Sequence, residues 1–469
     1  MGAGTVAELL AADLHGRGVR RVFGLCGGHV QPVWDALDRL GVEVVDVRHE
    51  CAAVYMAQAQ ADLGGGMGVV LATAGPGLTN TVTGLANAHL ARSPLVLVTG
   101  CPPRPQTGMG ALQDIPQAAL VAPLCRRVET VLDRRHLLAR LDAVWSAALG
   151  EDGPQGPACL EVPTDVLEEP AAGLDAPPRR LDAMCAPALL PDPRSIGAAL
   201  DLLRGGGRVL VVTGRGARDD PGAVRDLLDA TGAAHIDTAE SRGVVPWDHP
   251  SQLTAVRSRA MSEAELVITV GRRLDFQLGY GSPAVFAGRP RWLRVGRTTQ
   301  EVAGNVRGDV TVQADPGAAL RAMLEAGAGE RSPDTAWRDA LHRESEERIA
   351  AARARSAELT PGDGGIHPLR LLAAVDELVD DGTVVVADGG DILSFARSTL
   401  RRGGWLDPGA LGCLGVGVPF AVSAALTLPE RRVIGVIGDG ALGFTAMELD
   451  TAVRRGARVL VVVANNAGW

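Results

Sequence analysis

Residues 433–469 read VIGVIGDGALGFTAMELDTAVRRGARVLVVVANNAGW, and this stretch indicates the fold class. It holds two apolar, β-branched runs, residues 433–437 and 458–463, and between them lies a segment long enough for one helix. Two such runs joined by a helical connection are typical of parallel strands with a crossover helix. The stretch therefore predicts an α/β fold.

The same alternation extends towards the N-terminus. Short apolar runs recur at residues 19–24, 42–47, 68–73, 95–99, 208–212, 266–270, 292–295 and 383–387, with helical stretches between them. The proline-rich residues 167–194, and residues 326–365 with their Pro-Gly-Asp-Gly-Gly ending, predict two linkers. We expect three doubly wound parallel-sheet domains, at 1–166, 195–325 and 366–469. Because the alternation continues to Trp469, we expect the last domain to be incomplete.

Charge and composition exclude several classes of function. All 46 residues counted as lysine or arginine are arginine. Schiff-base aldolases, pyridoxal-phosphate enzymes and Walker-type NTPases each need a lysine amine, so these classes are excluded. The net charge of −9 gives no basic footprint for a phosphate backbone, and we expect no nucleic-acid partner.

The cysteines and the apolar runs bear on the compartment. Seven cysteines are scattered without a C-x-x-C pair, which predicts neither a disulfide framework nor a zinc site. The first residues carry no signal-peptide pattern, and no apolar run approaches the ~20 residues that span a bilayer. We expect a cytoplasmic protein without a membrane partner.

The turn Gly438-Asp439-Gly440 and the pair Asn465-Asn466 carry the first chemical signal. Each follows a predicted parallel strand, and the carboxyl ends of such strands open into one ligand-binding crevice. A carboxylate at Asp439, an amide at Asn466 and the carbonyl of Gly468 are hard oxygen donors that suit Mg²⁺. Gly438, Gly440 and Ala441 are then candidate contacts to a diphosphate. The alternative is that the Gly-Asp-Gly turn is ordinary loop chemistry.

These motifs resemble the thiamine diphosphate (ThDP) enzymes of the acetolactate synthase type. The resemblance rests on the motif at 438–466 and runs through all three predicted domains. It is also carried by Gly27-Gly28, Arg48-His49-Glu50, Gly75-Pro76-Gly77 with Asn80, Asp248-His249-Pro250 and Gly271-Arg272-Arg273. The resemblance implies a pyrimidine-binding, a central and a diphosphate-binding domain, with ThDP and Mg²⁺ as cofactors.

Glu50 is the catalytic residue that the resemblance implies. Its carboxyl group would relay a proton to the aminopyrimidine ring of ThDP, with Gly28, Pro76 and Asn80 beside the cofactor. The alternative is an acidic residue favoured by the dipole at the start of a helix.

The resemblance implies further site residues. Leu414 matches the apolar residue that supports the bent cofactor, although it also fits an ordinary core leucine. Gly390 and Asp391 lie at a diphosphate-binding strand end, where acetolactate synthases instead carry Gly-Gln-His. Gln113 matches the family's active-site glutamine, which contacts substrate.

The predicted activity is a ThDP- and Mg²⁺-dependent carboligation or decarboxylation of a 2-oxo acid such as pyruvate. The alternative is a non-oxidative decarboxylase or C–C lyase of the oxalyl-CoA decarboxylase or benzaldehyde lyase type. Residues 274–279 (LDFQLG) favour it, because they are more similar to the matching stretch of those enzymes than to the FAD-contacting stretch of acetolactate synthases. A catalytically silent ThDP-fold protein is a further alternative. Whether FAD binds is left open by the sequence. The resemblance also implies a homodimer or homotetramer.

Overall fold

The computed structural model describes residues 4–64, 66–151, 153–174, 188–330, 335–359 and 365–468. These residues form two compact units. The first unit comprises the described residues within Met1–Pro187, Thr383–Leu393 and Leu406–Trp469, and the second those within Ala188–Gly382 and Ser394–Trp405.

The N-terminal part of the first unit is built on a parallel sheet. Its elements are α1 (Val6–Gly16), β1 (Arg21–Gly24), α2 (Gln31–Arg39), β2 (Glu43–Asp46), α3 (Glu50–Asp62), β3 (Gly68–Ala72), α4 (Pro76–Thr79), α5 (Val82–Ala91), β4 (Leu95–Cys101), α6 (Gln117–Val121), β5 (Val128–Thr130), α7 (Leu137–Leu149), β6 (Pro157–Pro163) and α8 (Thr164–Glu168). The strands lie in the order β2-β1-β3-β4-β6-β5, and neighbours are parallel. β3 is buried throughout, as expected for a sheet covered on both faces.

The second unit contains a parallel sheet of its own. Its elements are α9 (Pro193–Arg204), β7 (Val209–Thr213), α10 (Pro221–Thr231), β8 (Ala234–Ile236), α11 (Arg257–Glu263), β9 (Leu266–Val270), β10 (Arg291–Gly296), α12 (Thr299–Ala303), β11 (Val310–Gln313), α13 (Pro316–Glu325), α14 (Ala336–Glu358) and α15 (Pro368–Asp376). The strand order is β11-β10-β9-β7-β8. Although α14 falls within the predicted second linker, its Leu341 is buried in the core of this unit.

The C-terminal part of the chain belongs to the first unit, apart from residues 394–405, which belong to the second. Its elements are β12 (Val384–Asp388), α16 (Asp391–Thr399), β13 (Gly404–Leu406), α17 (Gly417–Thr427), β14 (Val433–Gly438), α18 (Asp439–Thr445), α19 (Glu448–Arg454) and β15 (Leu460–Ala464). β12, β14 and β15 are consecutive and parallel. The predicted α/β fold with parallel sheets is confirmed.

Helices α3 and α17 pack against each other inside the first unit. Both are apolar or small-sided around most of their circumference, which is the pattern of a helix buried on all sides. The hydroxyl of Ser423 on α17 donates a hydrogen bond to the carbonyl oxygen of Met56 on α3 at 2.7 Å. This pair joins the two sheets of the unit and fixes the position of Glu50, the first residue of α3.

Three sequence predictions need comment. The helical stretch expected between the apolar runs at 68–73 and 95–99 is not one helix. The chain forms α4 and α5 there, with a break after Thr79, where the hydroxyl of Thr81 donates to the carbonyl oxygen of Leu78 at 2.7 Å. Residues 175–187 and 360–364 of the predicted linkers lie outside the described residues, as does Cys185. Across the part of the chain that the structure describes, every helix is too short or too polar to cross a membrane.

Candidate active site

Glu50 lies at the carboxyl end of β2, where the chain turns into α3. His49 caps this helix, since its Nδ1 accepts the backbone N–H of Cys51 at 3.1 Å. The Glu50 side chain is buried with 6% exposure, and the Asn80 amide donates to its Oε2 at 2.9 Å. The side chain of Asn80 therefore holds one oxygen of the buried Glu50 carboxylate in a fixed position. The structure thus brings together two predicted site residues that lie 30 positions apart.

Gly75 and Gln113 pack tightly against each other. Gly75 lies two residues before Gly77, where an added Cβ would lie 3.5 Å from Glu50 Oε1. Gly75 has φ of 61°, and a Cβ there would lie 2.7 Å from the Cβ of Gln113, so only glycine fits. Gln113 is itself left-handed, at φ of 63°. Strained backbone of this kind is concentrated at functional sites. Gln117 fixes the loop by accepting the Gly75 N–H at 3.0 Å and donating to the Gly100 carbonyl oxygen at 2.8 Å.

His29 belongs to the same group, although it is not one of the residues predicted from the sequence. Its Nδ1 lies 3.5 Å from the hydroxyl of Thr73, and its ring is hydrogen-bonded to Gln113. Burial lowers the pKa of His29, and the Gln113 contact opposes the shift. The sequence signal that could have identified His29 is its position directly after Gly27-Gly28, in a glycine-rich loop. We call His29, Glu50, Asn80 and Gln113, with the loop at Gly75, the N-terminal group.

Gly28 and Pro76 border the N-terminal group on its exposed side. Both are exposed, and a Cβ added at Gly28 would meet no atom within 4 Å. Open space beside Gly28 fits the predicted approach of a cofactor.

A second set of predicted residues lies at the carboxyl ends of β12, β14 and β15. Ile437 pairs with Asp388, and Gly438 pairs with Ala464, so the three strand ends are level. Asp439 follows β14 and begins α18, while Asn466 lies two residues beyond β15. We call the residues at these strand ends the C-terminal group.

The turn after β15 is held by its own asparagines. The side-chain oxygen of Asn465 accepts the N–H of Ala467 at 2.9 Å, and that of Asn466 accepts the N–H of Gly468 at 3.1 Å. Both asparagines are exposed, and Ala467 is left-handed with φ of 57°. Among the described residues, no three His, Cys, Asp or Glu side chains form a metal cluster. The donor chemistry of Asp439, the Asn466 amide and the Gly468 carbonyl nevertheless fits Mg²⁺.

Asp388 anchors the segment that carries Leu414, although no sequence motif singles this residue out. Its Oδ2 accepts the N–H groups of Gly415 at 2.9 Å and Gly417 at 2.8 Å. Burial raises the pKa of Asp388 to about 6, and the backbone N–H groups oppose the rise. The hydroxyl of Thr445 donates to the carbonyl oxygen of Gly415 at 2.8 Å, which fixes the loop from its other side.

The remaining predicted residues lie around this anchor. Leu414 is half-buried against the core shared by α3 and α17, and Ala441 is buried in the same core. Gly438 and Gly440 are half-buried, whereas Gly390 and Asp391 are exposed. A Cβ at Gly390 would meet nothing within 4 Å, which leaves room for a ligand beside the strand end.

Family models match the chain in three places. Residues 4–120 match "Thiamine pyrophosphate enzyme, N-terminal TPP binding domain", residues 196–323 match the "central domain" and residues 389–469 match the "C-terminal TPP binding domain" of the same enzymes. The chain belongs to the thiamine pyrophosphate enzyme family. Thiamine pyrophosphate is ThDP, so the family resemblance is confirmed. The N-terminal and C-terminal groups lie in the two domains that the family uses to bind this cofactor.

Curated members of the family carry two kinds of name. The chain is 34% identical to "2-hydroxyacyl-CoA lyase 2" of Caenorhabditis elegans over 98% of this chain and 78% of that protein. It is 35% identical to the protein of that name in Danio rerio, over 98% and 80%. It is 31% identical to "Acetolactate synthase large subunit IlvG" of Mycobacterium tuberculosis, over 98% and 83%. This thiamine pyrophosphate enzyme is therefore similar to both lyases and synthases.

Proposed function

We propose that this thiamine pyrophosphate enzyme is a ThDP- and Mg²⁺-dependent lyase that cleaves the carbon–carbon bond of a 2-hydroxyacyl-CoA. In the overall reaction, the bond between the hydroxyl-bearing carbon and the thioester carbonyl breaks. The hydroxyl-bearing carbon leaves as an aldehyde and loses its hydroxyl proton, while the carbonyl carbon gains a proton. The similarity to 2-hydroxyacyl-CoA lyases supports this substrate class.

A basic cavity in the second unit is the observation that carries the acyl-CoA assignment. It has a volume of about 1200 Å³. Seven arginines line it, together with three carboxylates: Arg242, Arg257, Arg348, Arg353, Arg370, Arg397 and Arg402, with Asp237, Asp376 and Glu377. Some of this charge is neutralised internally, since Arg257 pairs with Asp237 at 3.2 Å and Arg353 pairs with Asp376. The excess of arginine suits the phosphates of coenzyme A.

Bound ThDP would supply a carbon nucleophile that also accepts the electron pair of the broken bond. The protein's share of the work is positioning and proton handling. Asp439, Asn466 and Gly468 would hold Mg²⁺, with the diphosphate beside Gly390, Asp391, Gly438, Gly440 and Ala441. Leu414 would support the cofactor from the loop that Asp388 anchors. These residues fix the reacting centre relative to the N-terminal group.

The N-terminal group would handle the protons. Glu50, held by Asn80, would exchange a proton with the aminopyrimidine ring of bound ThDP. Because burial lowers its pKa, the His29 ring is neutral at neutral pH and can accept the hydroxyl proton of the substrate. Gln113 donates hydrogen bonds to the substrate. Burial of the Glu50 side chain limits its contact with bulk water.

Product analysis tests the assignment. The chain loaded with ThDP and Mg²⁺ is offered a 2-hydroxyacyl-CoA and pyruvate in separate reactions, with Glu50→Gln as the inactive control. We expect aldehyde release from the thioester. Turnover of pyruvate alone would instead establish the synthase activity of the second group of relatives.

The cavity is tested by thermal shift with coenzyme A and with FAD. We expect coenzyme A to stabilise the wild-type chain and Arg370→Ala to weaken that effect. Arg321→Ala, which removes an arginine paired with Asp220 and Asp226 away from the cavity, is the control. Stabilisation by FAD but not by coenzyme A would reject the acyl-CoA assignment and favour an FAD-containing synthase.

A carboligase acting on pyruvate is the second candidate, and the similarity to the mycobacterial acetolactate synthase favours it. Both candidates use the same two groups. We also propose a homodimer, or a homotetramer built from such dimers, in which the N-terminal group of one chain meets the C-terminal group of its partner. Mixing inactive Glu50→Gln chains with inactive Asp439→Ala chains should then restore part of the activity, and active monomers would contradict it.

A cytoplasmic location is likewise a proposal. The six cysteines of the described residues, Cys26, Cys51, Cys101, Cys125, Cys159 and Cys413, are free thiols. Six free thiols without a disulfide among the described residues are typical of a protein in a reducing compartment.

A further inference from the structure

Helix α19 contacts the turn between β2 and α3 through a buried carboxylate that the proposed mechanism does not use. Glu448 is 1% exposed. Its Oε1 accepts the backbone N–H of Arg48 at 2.8 Å and that of His49 at 3.2 Å. Arg48 and His49 are the two residues directly before Glu50.

The second oxygen of Glu448 is satisfied within α19. The hydroxyl of Thr451, which is fully buried, donates to Oε2 at 2.7 Å. Burial raises the pKa of Glu448, while the Thr451 hydroxyl and the two backbone N–H groups oppose the rise. A buried carboxylate that keeps three hydrogen bonds is costly to misplace, because each lost bond leaves a desolvated group without a partner.

These contacts determine where α3 begins. The hydrogen bonds from the N–H groups of Arg48 and His49 fix the orientation of the peptide planes 47–48 and 48–49, just before the helix. His49 is the residue that caps α3, and Glu50 is its first residue. A negative charge beside a helix start is also favourable to the helix dipole. A shift of this turn would move the Glu50 carboxylate away from Asn80.

We propose that Glu448 is a positioning residue for the Glu50 proton relay. It acts through the backbone of residues 48 and 49, and it ties the segment that follows the Asp439 motif to the start of the catalytic helix. This role rests on the proposed ThDP function. It goes beyond that function in assigning a task to a residue outside both cofactor-binding groups.

The same interface offers a matched control. Asp450, also on α19, accepts from the Arg48 side chain at 2.7 Å, so it contacts the same residue without touching its backbone N–H. The Asp450 and Arg48 side chains are about two-fifths exposed, at 43% and 41%. Exposed ion pairs of this kind contribute little to stability.

The test compares Glu448→Ala, Glu448→Gln and Asp450→Asn by two measurements. The first is hydrogen exchange of the backbone amides of residues 48–52, resolved by mass spectrometry on the chain without cofactor. The second is proton–deuterium exchange at the reactive carbon of bound ThDP, with calorimetry to verify that ThDP still binds. In Glu448→Gln, the side-chain oxygen can still accept from the N–H groups of Arg48 and His49, and the side-chain NH2 can donate to the hydroxyl of Thr451. This variant is therefore the conservative replacement that should rescue the position of the turn.

We expect Glu448→Ala to expose the amides of residues 48–52 and to slow exchange at the cofactor carbon roughly 10- to 100-fold, as a displacement near 1 Å would. ThDP binding should change little. Glu448→Gln should restore most of both signals, and Asp450→Asn should leave both unchanged.

Three results would overturn the role. They are unchanged cofactor exchange in Glu448→Ala, equal losses in Asp450→Asn, and no rescue by Glu448→Gln. Failure of the proposed function looks different, because wild-type chains would then show no ThDP-dependent exchange, whereas the amide protection by Glu448 would persist.

Discussion

The N-terminal and C-terminal groups are built in different ways. Glu50 is buried, and it is held by Asn80 and by the turn that Glu448 fixes. Asn466 is exposed, and its side-chain oxygen bonds the backbone of its own turn. The first group is assembled by contacts between distant segments, whereas the exposed part of the second is assembled by local turns.

The difference indicates how each group reaches its working geometry. A buried carboxylate in a packed site is pre-organised by the fold. Exposed oxygen donors on a turn can reorient, and a divalent cation can bring them together as it binds. We therefore expect the C-terminal group to control cofactor affinity and the N-terminal group to control reactivity.

Loss of Asp439, the proposed metal ligand, should have the largest effect. Asp439→Ala removes the charged donor at the end of β14, and we expect ThDP binding to fall below detection by calorimetry. In the wild-type chain, EDTA should have the same effect. Glu430→Ala, which removes an exposed carboxylate just before the other end of β14, should bind normally. Tight ThDP binding in the presence of EDTA would contradict the metal site.

Glu50→Gln should produce the opposite pattern, normal binding with slow chemistry. Glutamine keeps the shape and a hydrogen bond but lacks an acidic proton. Proton–deuterium exchange at the cofactor carbon should slow by about 10²- to 10⁴-fold, the range of general acid–base catalysis. If Glu50 only favoured the helix dipole, the loss would be ~0.3–1 kcal/mol of stability with exchange unchanged. Glu43→Gln, on the strand before the turn, is the control.

Sequence patterns located the residues of both groups that follow a strand directly. The runs predicted at 266–270 and 433–437 are observed as β9 and β14 within one residue, because buried parallel strands are continuous apolar runs. Glu50, Asp439 and Asn466 are recognisable because each follows such a run. Their roles as relay and metal ligands stay predictions.

The supporting residues could not be predicted in this way. Glu448 contacts a backbone N–H 400 positions away, and Asp388 contacts backbone groups of a loop 27 positions away. A buried acid at such a position looks like any helical or strand-end acid until the packing is known. The break between α4 and α5 is similar, since a continuous helical pattern does not reveal that Asn80 bonds Glu50.

Asn80→Ala should slow the chemistry less than Glu50→Gln does, and it tests whether contacts between distant segments hold the N-terminal group. It removes the amide from Glu50 Oε2 and leaves a buried carboxylate short of one hydrogen bond, which costs about 1–3 kcal/mol. We expect a lower melting temperature and exchange at the cofactor carbon slowed roughly tenfold, a loss of about 1.4 kcal/mol in the barrier. Thr79→Ala, on the same turn, loses a hydrogen bond to the Pro76 carbonyl oxygen and is the control. An unaltered exchange rate in Asn80→Ala would show that Glu50 is held by its packing alone.

The last prediction concerns the stability that Asp388, in the interior of the C-terminal group, contributes to the folded chain. Its folded-state pKa of about 6 lies above the ordinary value of 3.8, so the neutral form is favoured in the folded chain. The stabilisation is complete below pH 3.8 and is lost as the pH rises through 6, a change on the order of 3 kcal/mol at most. Asp388→Asn stays neutral, and its amide oxygen can still accept from Gly415 and Gly417. Without cofactor, the variant should melt higher than wild type at pH 8, and the difference should shrink towards pH 4. Asp381→Asn, at the exposed opposite end of β12, should show no such trend.

If Asp388→Asn were instead less stable than wild type by the same amount at every pH, the carboxylate charge would be needed to hold Gly415 and Gly417. The loop of Leu414 would then be anchored by the charge of Asp388. The interior and the exposed turns of the C-terminal group would both be held by polar contacts, and only the strength of these contacts would differ.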